Sequence, residues 1–336
     1  MLNQATMFYC PRAELSDLRF AQESLASAAF VPVSETAELS TKGFIPLNAQ
    51  GDLCVKAGDS LRFVLREEDK IIPKSVVDEF LAERVEELEE KQFRSIGKKE
   101  KTALRAQITD ELRPQAFSRK KDVEMYYDSV SRLLFVATAN QSRAENCVSF
   151  LRAAMEGGLE TKLPQTRRDP ASVMTQWLLD GEAEGQFALD GDCVLRGMGD
   201  DQSLVRISNC PLESDEVRRH AQNGKVAQEL GLVWGEKISL TLTDSLSLKR
   251  LKLKDVIGED EELPEDDAEE YAKAVQKLTV DTLSIIAGDV FETFGGRTDA
   301  QDGEAEEAVE AEEAEGTEKP EKPAKTGGRG RAVKKR

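Results

Sequence analysis

The spacing of apolar residues predicts a chain in which short strands alternate with amphipathic helices. Apolar side chains three or four positions apart are typical of helices, and apolar side chains that alternate with polar ones are typical of strands. The predicted helices are 14–28, a long helix that begins at Pro73 and is broken by Gly97, 99–112, 142–155, 170–179, 214–222 and 266–294. The predicted strands are 7–9, 41–47, 53–55, 61–66, 123–127, 133–138, 187–189, 193–195, 204–207, 225–234, 237–243 and 248–253.

Three local details of this pattern can be checked directly against a structure. The stripe of the long helix that is predicted to face a core consists of Val76, Val77, Phe80, Leu81, Val85 and Leu88. Residues 67–70 are predicted to turn the chain after the strand 61–66. Residues 190–192 are also predicted to form a turn, because they lack the further acids of a calcium loop.

The pattern as a whole indicates an α+β protein with mixed sheets, long charged helices and several subdomains. A central α/β part is predicted at 1–72 plus 114–165, a charged helical arm at 73–113, and a second α/β part with a C-terminal helix at 166–298. Residues 299–318 contain ten acids and no base, whereas residues 319–336 contain eight bases and one acid. Because such segments cannot bury enough apolar surface to fold, a disordered acidic-then-basic tail is predicted at 299–336.

The distribution of charge changes the interpretation of the helical arm. The chain has a net charge of −18, yet residues 91–121 contain ten Lys/Arg and three Asp/Glu, a local balance of +7. This local inversion favours a surface for a polyanion, and a solvated charged hairpin is the alternative. The strand 248–253 is also rich in bases, and a solvated sheet face explains it equally well. The candidates for phosphate contact are Arg94, Lys98, Lys99, Lys101, Arg105, Arg119, Lys249, Arg250 and Lys252.

The sequence carries few of the residues on which enzyme chemistry depends. It has one histidine, His220, and five widely spaced cysteines without a C-x-x-C pair. Neither a His-assisted nucleophile nor a zinc site is therefore expected. The acids at 259–262 could hold magnesium, as in a nuclease, but a solvated loop is the preferred interpretation. We expect no metal, no cofactor and no enzymatic activity.

The sequence also bears on where the protein resides. No apolar run approaches the roughly 20 residues of a membrane span. Residues 1–4 lack the charged and apolar regions of a secretory signal. A cytoplasmic protein without a membrane partner is the expectation.

Several short segments together resemble the bacterial recombination-associated protein RdgC family. They are LASAAFVP (25–32), KGFIP (42–46), REEDKIIP (66–73), PQAFSR (114–119), NGKV (223–226) and the segment 244–253. Their order and spacing agree with the family over roughly residues 2–296. The tail after residue 299 is an extension beyond the family's common core.

The resemblance implies a non-enzymatic, nucleoid-associated protein that binds double-stranded DNA without marked sequence preference, with single-stranded DNA left open as a further ligand. Family members form a head-to-head, tail-to-tail homodimer, a ring whose positively charged hole admits duplex DNA, and they restrain RecA-promoted strand exchange. Phe117 matches a residue that helps to close the ring at one dimer contact. Asn209 and Cys210 match the other contact, where relatives carry a base that this chain lacks.

A second hypothesis comes from a different class of protein. In it, the charged helical arm and the tails are adaptors that bind a protein partner such as RecA itself. A metal-dependent nuclease is a third and more distant interpretation. Salt-sensitive DNA binding favours the first hypothesis, and DNA cleavage with magnesium would favour the third.

Overall fold

Two antiparallel sheets provide the framework on which the helices pack. The computed structural model describes residues 2–33, 38–199, 201–252 and 267–298. The predicted α+β class is confirmed in this part of the chain. The predicted mixed sheets are wrong, because every pairing between named strands is antiparallel. The reason is that many neighbouring strands are joined by turns, and a tight turn returns the chain antiparallel.

The first sheet packs against two helices on one of its faces. Its strands are β1 (Thr6–Tyr9), β2 (Ser40–Phe44), β3 (Cys54–Ala57), β4 (Ser60–Ile71), β5 (Phe117–Asp128) and β6 (Leu133–Val136), in the order β1-β6-β5-β4-β2 with β3 also on β4. Alternate residues such as Phe63 and Met125 meet α1 (Leu18–Ser27) and α4 (Gln141–Ala154) in one buried core. The alternate residues that point to the other face, such as Tyr126 and Phe135, are buried in the core that the second sheet also lines.

The second sheet is also antiparallel and also packs against helices. Its strands are β7 (Phe187–Gly197), β8 (Leu204–Ile207), β9 (Lys225–Trp234), β10 (Ile238–Thr243) and β11 (Leu248–Lys249), in the order β11-β10-β9-β7-β8. The helices that accompany it are α5 (Pro170–Asp180), α6 (Asp215–Gln222) and α7 (Ala268–Thr293). Trp177 is fully buried among them, with its ring 6.3 Å from Phe187 and 5.6 Å from Phe294.

The two sheets are tied together by the N-terminal strand and by α7. Ala5 exchanges two backbone hydrogen bonds of 2.8 Å with Leu248 of β11, directly before Thr6–Tyr9 pairs with β6. On α7, the Gln276 amide donates to the carbonyl of Val55 at 3.1 Å in the first sheet. Both sheets and their helices lie in one compact unit, Met1–Arg297.

The helical arm leaves the first sheet between β4 and β5. It consists of α2 (Lys74–Gln92) and α3 (Lys98–Leu112), held by a small core of Val77, Leu81 and Ile108. The predicted stripe is therefore only partly right, because Phe80 is 46% exposed. The physical reason is that α2 packs mainly against one other helix, so only one side of its apolar stripe finds a partner.

Three local predictions are corrected by strand pairing. Residues 67–70 do not turn, since β4 continues to Ile71 and pairs with β5 along its whole length. Residues 190–192 form an irregularity inside the continuous strand β7 rather than a turn between two strands. The basic strand predicted at 248–253 ends at Lys249, because Arg250 adopts a φ of 52° that interrupts extended backbone, and residue 253 lies outside the described residues.

Strand β5 begins at Phe117 rather than at the predicted residue 123, because its first half pairs with the polar half of β4. The remaining elements lie close to their predicted positions, and β9 has the predicted bounds. The predicted subdomain boundaries stay predictions, and the predicted tail at 299–336 lies outside the described residues. Within the described residues, no helix is both long enough and apolar enough to cross a membrane.

Replacing Gly231 by alanine should destabilise the fold. A methyl group at Gly231 would lie 2.9 Å from the carbonyl oxygens of Asp190 and Asp192. At this point the irregular part of β7 lies beside its neighbour β9. We expect a loss of about 1–3 kcal/mol in the free energy of unfolding, measured by urea denaturation. Gly288→Ala is the control, because nothing lies within 4 Å of its new methyl group near the C-terminal end of α7. That variant should gain up to about 1 kcal/mol; equal effects of both substitutions would contradict the close approach at Gly231.

Candidate nucleic-acid interface

The nine basic residues predicted to contact phosphate lie in three places of the described fold. The arm carries Arg94, Lys98, Lys99, Lys101 and Arg105, strand β5 carries Arg119, and the end of the second sheet carries Lys249, Arg250 and Lys252. All of them are exposed except Lys249, which is half-buried. The structure thus brings the five arm residues onto one hairpin and groups the last three elsewhere.

Carboxylates bind both arginines of the arm that were predicted to contact phosphate. The Arg94 guanidinium donates to both carboxylate oxygens of Glu100, at 2.9 and 2.8 Å. This hydrogen bonding raises the pKa of Arg94 and lowers the pKa of Glu100. Arg105 on α3 donates to Asp78 on α2 at 2.5 Å. These two arginines therefore hold the hairpin together, and a phosphate would have to displace a carboxylate to reach them.

The lysines at the start of α3 are not ion-paired, although Lys101 lies in a cleft that Asp78, Glu86, Glu89 and Glu90 also line. Lys98, Lys99 and Lys101 make no ion pair with any carboxylate among the described residues. Cations in the first turn of a helix oppose the helix dipole and lower helix stability slightly. An anion at this position would be attracted both by the lysines and by the free N–H groups of the first turn.

Exposed aromatic rings mark the two ends of the arm. Phe93, between α2 and α3, is 95% exposed and has a φ of 53°. Phe117, at the root of the arm, is 85% exposed and pairs across the strands with Ile71, which is 47% exposed. Burying such side chains against a partner would be favourable, so both ends of the arm can make protein contacts. The sequence pattern did not single out Phe93, although an apolar residue within a long charged run was a usable signal.

A buried carboxylate fixes the strands that lead into the arm. Glu68 is only 4% exposed. It accepts hydrogen bonds from the Ser118 hydroxyl at 2.5 Å and from the Val33 N–H at 3.1 Å. The bond from Ser118 contributes most to holding the pKa of Glu68 below its ordinary value, and the Val33 N–H and the nearby Lys120 and Arg66 charges add to it, against the opposing effect of burial. Sequence reasoning missed this residue because it lies in the polar run interpreted as a turn.

Two of the three candidate basic residues of the second sheet are also ion-paired with carboxylates. Lys249 lies 2.8 Å from Glu229 of β9, and Arg250 is paired with Asp192 of β7. Lys252 is exposed and makes no ion pair with a described carboxylate. Since the predicted basic strand ends at Lys249, these three bases do not form one extended cationic face.

The two residues predicted at the second dimer contact lie beside β8. The Asn209 N–H donates to Asp192 at 3.1 Å, and the Cys210 N–H donates to the Gly191 carbonyl at 3.0 Å. Asn209 is exposed and Cys210 is partly exposed. Their position leaves both side chains accessible to a partner.

The described residues offer little reactive or metal-binding chemistry. Within them, no group of three or more His, Cys, Asp or Glu is arranged to hold a metal ion, and the acids at 259–262 lie outside them. Burial raises the pKa of Cys10 and Cys193 to about 12, and that of Cys54 and Cys147 to about 11. At neutral pH these thiols are protonated and weakly nucleophilic.

These features define an α+β protein whose charged helical arm and second sheet expose bases in an acidic chain. A family model described as "Putative exonuclease, RdgC" matches residues 1–297. The chain is 37% identical over 296 residues to "Recombination-associated protein RdgC" of Neisseria meningitidis serogroup A, covering 88% of this chain and 99% of the relative. It is 36% identical over 300 residues to the protein of the same name from Laribacter hongkongensis, with the same coverage of both chains.

The chain belongs to the RdgC family, as the sequence motifs predicted. The names of the relatives fit a role in DNA recombination. The description of the family model points instead to an exonuclease. These comparisons leave the roles of individual residues as predictions.

Replacing Glu68 by glutamine should destabilise the root of the arm at neutral pH. A hydrogen bond to a charged group contributes about 1.5–3 kcal/mol, so we expect a loss of that size in the free energy of unfolding. The folded-state pKa of Glu68 is lowered, whereas an unfolded glutamate titrates at about 4.3. The contribution of the carboxylate is thus present above that pH and is lost as the pH falls through the folded-state pKa.

Urea denaturation from neutral pH into the acid range measures this effect. The difference in stability between the wild type and Glu68→Gln should narrow as the pH falls. Glu79→Gln, at an exposed position of α2, is the control and should show little difference at any pH. A difference for Glu68→Gln that stays constant with pH would contradict the role assigned to the ionised carboxylate.

Proposed function

We propose that this protein binds double-stranded DNA without sequence preference, encircles it as a homodimer on the nucleoid, and restrains RecA-dependent recombination. The observation that carries the proposal is the exposed triplet Lys98, Lys99 and Lys101, none of which forms an ion pair with a described carboxylate. In a family whose relatives are named for recombination, DNA phosphate is the matching anion. Phosphate contacts fix the position of a protein on DNA without reading the sequence.

A ring of two subunits requires two different self-complementary surfaces. In a two-fold dimer each contact is made by the same patch of both subunits, so one patch closes one contact. The apolar pair of Phe117 and Ile71 is suited to the first contact because both side chains are exposed. The region of Asn209 and Cys210 is the candidate for the second. Once closed, a ring slows dissociation from DNA without any additional bond.

The adaptor hypothesis remains the alternative. Phe93 supports it, because an aromatic ring that is 95% exposed is a typical anchor for a protein partner. In that case the arm would restrain RecA by direct contact, and the lysines of the arm would contribute little. Removing the positive charges of the arm lysines therefore distinguishes DNA binding from the adaptor hypothesis.

Replacing Lys98, Lys99 and Lys101 together by glutamine should weaken DNA binding and its dependence on salt. The slope of log K against log salt is negative, and its magnitude decreases by about 0.9 for each phosphate that the variant no longer neutralises. Loss of all three contacts should therefore reduce the magnitude of the slope by about 2.7. The measurement is fluorescence anisotropy of a labelled duplex over a potassium chloride series. The control is the triple glutamine variant of Lys56, Lys237 and Lys277, three exposed lysines outside the arm. Its slope should match that of the wild type.

Two further measurements distinguish DNA binding from the other hypotheses. Unchanged restraint of RecA strand exchange by the Lys98/Lys99/Lys101 variant would favour the adaptor hypothesis. Progressive shortening of end-labelled DNA when magnesium is added would favour the exonuclease interpretation, which the family description supports. We expect the DNA to remain intact.

Replacing Phe117 by serine should weaken the dimer. Removing an aromatic anchor from an interface typically costs about 2 kcal/mol or more, roughly a 30-fold increase in the dimer Kd. Light scattering over a dilution series measures the dimer fraction. Val130→Ser is the control, because Val130 is also largely exposed but lies in the β5–β6 turn. Equal dimer fractions in the wild type and Phe117→Ser would exclude Phe117 as a closing contact.

A further inference from the structure

Two arginines that the sequence pattern did not select project from the second sheet. Arg196 of β7 lies opposite Leu204 of β8, and Arg206 of β8 lies opposite Val194 of β7. Directly opposite residues share a face, as do residues two apart on one strand, so both arginines lie on the same face. The intervening residue Val205 points to the other face, where it packs against the buried core. We call the face with the arginines the outer face.

The charge of these arginines is not compensated. Both side chains are exposed, and neither makes an ion pair with a carboxylate among the described residues. Like charges on neighbouring positions of adjacent strands repel each other, and an anion bound between them removes that cost. The pair therefore has the properties of an anion site rather than of a structural contact.

Three carboxylates near this face are paired with other bases. Glu229 lies opposite Val194 and therefore on the outer face, and Asp192 lies in the irregular part of β7. Arg250 pairs with Asp192, and Lys249 lies 2.8 Å from Glu229. In the adjoining loop, Asp201 lies 2.8 Å from Lys225. Arg196 and Arg206 thus add two positive charges that these three carboxylates do not pair, in a chain whose net charge is −18.

We propose that Arg196 and Arg206 form a phosphate-binding pair for the DNA backbone, an inference that rests on the DNA binding proposed above and adds a second site to it. A guanidinium presents its donors in a planar fork that matches two oxygens of a phosphate. Diagonal neighbours in a sheet lie roughly 7–8 Å apart, so the two long side chains can reach one phosphate or two adjacent ones. The hydrogen-bonded strands fix this spacing.

The exposed apolar side chains around the pair fit the same ligand. Leu204 is 50% exposed between the arginines, and Met198, two residues after Arg196, is 66% exposed. Apolar groups beside a guanidinium can contact the sugars that join successive phosphates. A protein partner with an acidic surface is the competing occupant, and it would use the same charges without a dependence on DNA.

The test is the double variant Arg196→Gln/Arg206→Gln in the full-length chain. DNA affinity is measured by anisotropy of a labelled duplex over a potassium chloride series. We expect the magnitude of the slope of log K against log salt to decrease by about 1.8 if each arginine neutralises one phosphate. The matched control is Arg12→Gln/Arg19→Gln, which removes the same charge at exposed positions whose arginines pair with Glu14 and Glu23. The control should keep the wild-type slope.

Each outcome decides between the possibilities. If wild-type protein shows no salt-dependent binding, the proposed function and this inference are both wrong. If the wild type binds and the double variant keeps its slope, the phosphate pair is wrong and the proposed function stands. A change in particle mass by light scattering with an unchanged slope would assign the pair to a protein contact and overturn the inference. Arg196→Lys/Arg206→Lys should restore most of the slope, which separates the removal of charge from a damaged fold.

Discussion

The relative position of the two sheets depends first on the backbone hydrogen bonds of a short segment at the N-terminus. Ala5 is hydrogen-bonded in both directions to Leu248 of the second sheet, and the next four residues, Thr6–Tyr9, pair with β6 of the first. A segment that is hydrogen-bonded to both sheets leaves them little freedom to move, because each displacement would break backbone hydrogen bonds. Helix α7 adds a second link, where Ser284 donates to Asp128 at 2.6 Å. The exposed bases of the arm and of the second sheet are thus carried by one framework.

The acidic composition of the chain has a structural consequence for its bases. Carboxylates bind Arg94, Arg105, Lys249 and Arg250, so these side chains are oriented rather than free. Exposed ion pairs contribute at most about 1 kcal/mol, and a phosphate can compete for such a base. A base that is not ion-paired can bind a phosphate without first being released from a carboxylate. An acidic protein can therefore bind a polyanion at a few places where its own carboxylates are absent or already occupied.

The sequence predicted much of the fold because most elements have a clear apolar period. Strand β9 was recovered with its observed bounds, and α5 within one residue. The errors fall where the period is weak. The second half of β4 is polar because it extends beyond the core, and only its pairing with β5 defines it as a strand. The candidate site was predicted as a set of bases, but not which of them are free. That property depends on carboxylates distant in sequence, such as Glu229 beside Lys249, which no local pattern contains.

The long β4–β5 ribbon couples the two surfaces that a DNA-encircling dimer would need. The paired strands are 12 residues long, which is about 40 Å at the usual rise of a strand. Their far end carries the helical arm with its lysines and also the exposed pair of Ile71 and Phe117. Glu68 binds Ser118 across the ribbon close to that end, so the root of the arm is held by a bond between the two strands. A force on the arm from bound DNA would be transmitted to the subunit contact through paired strands rather than through a loop. Loading and release of DNA would then depend on the stability of this ribbon as well as on the contact itself.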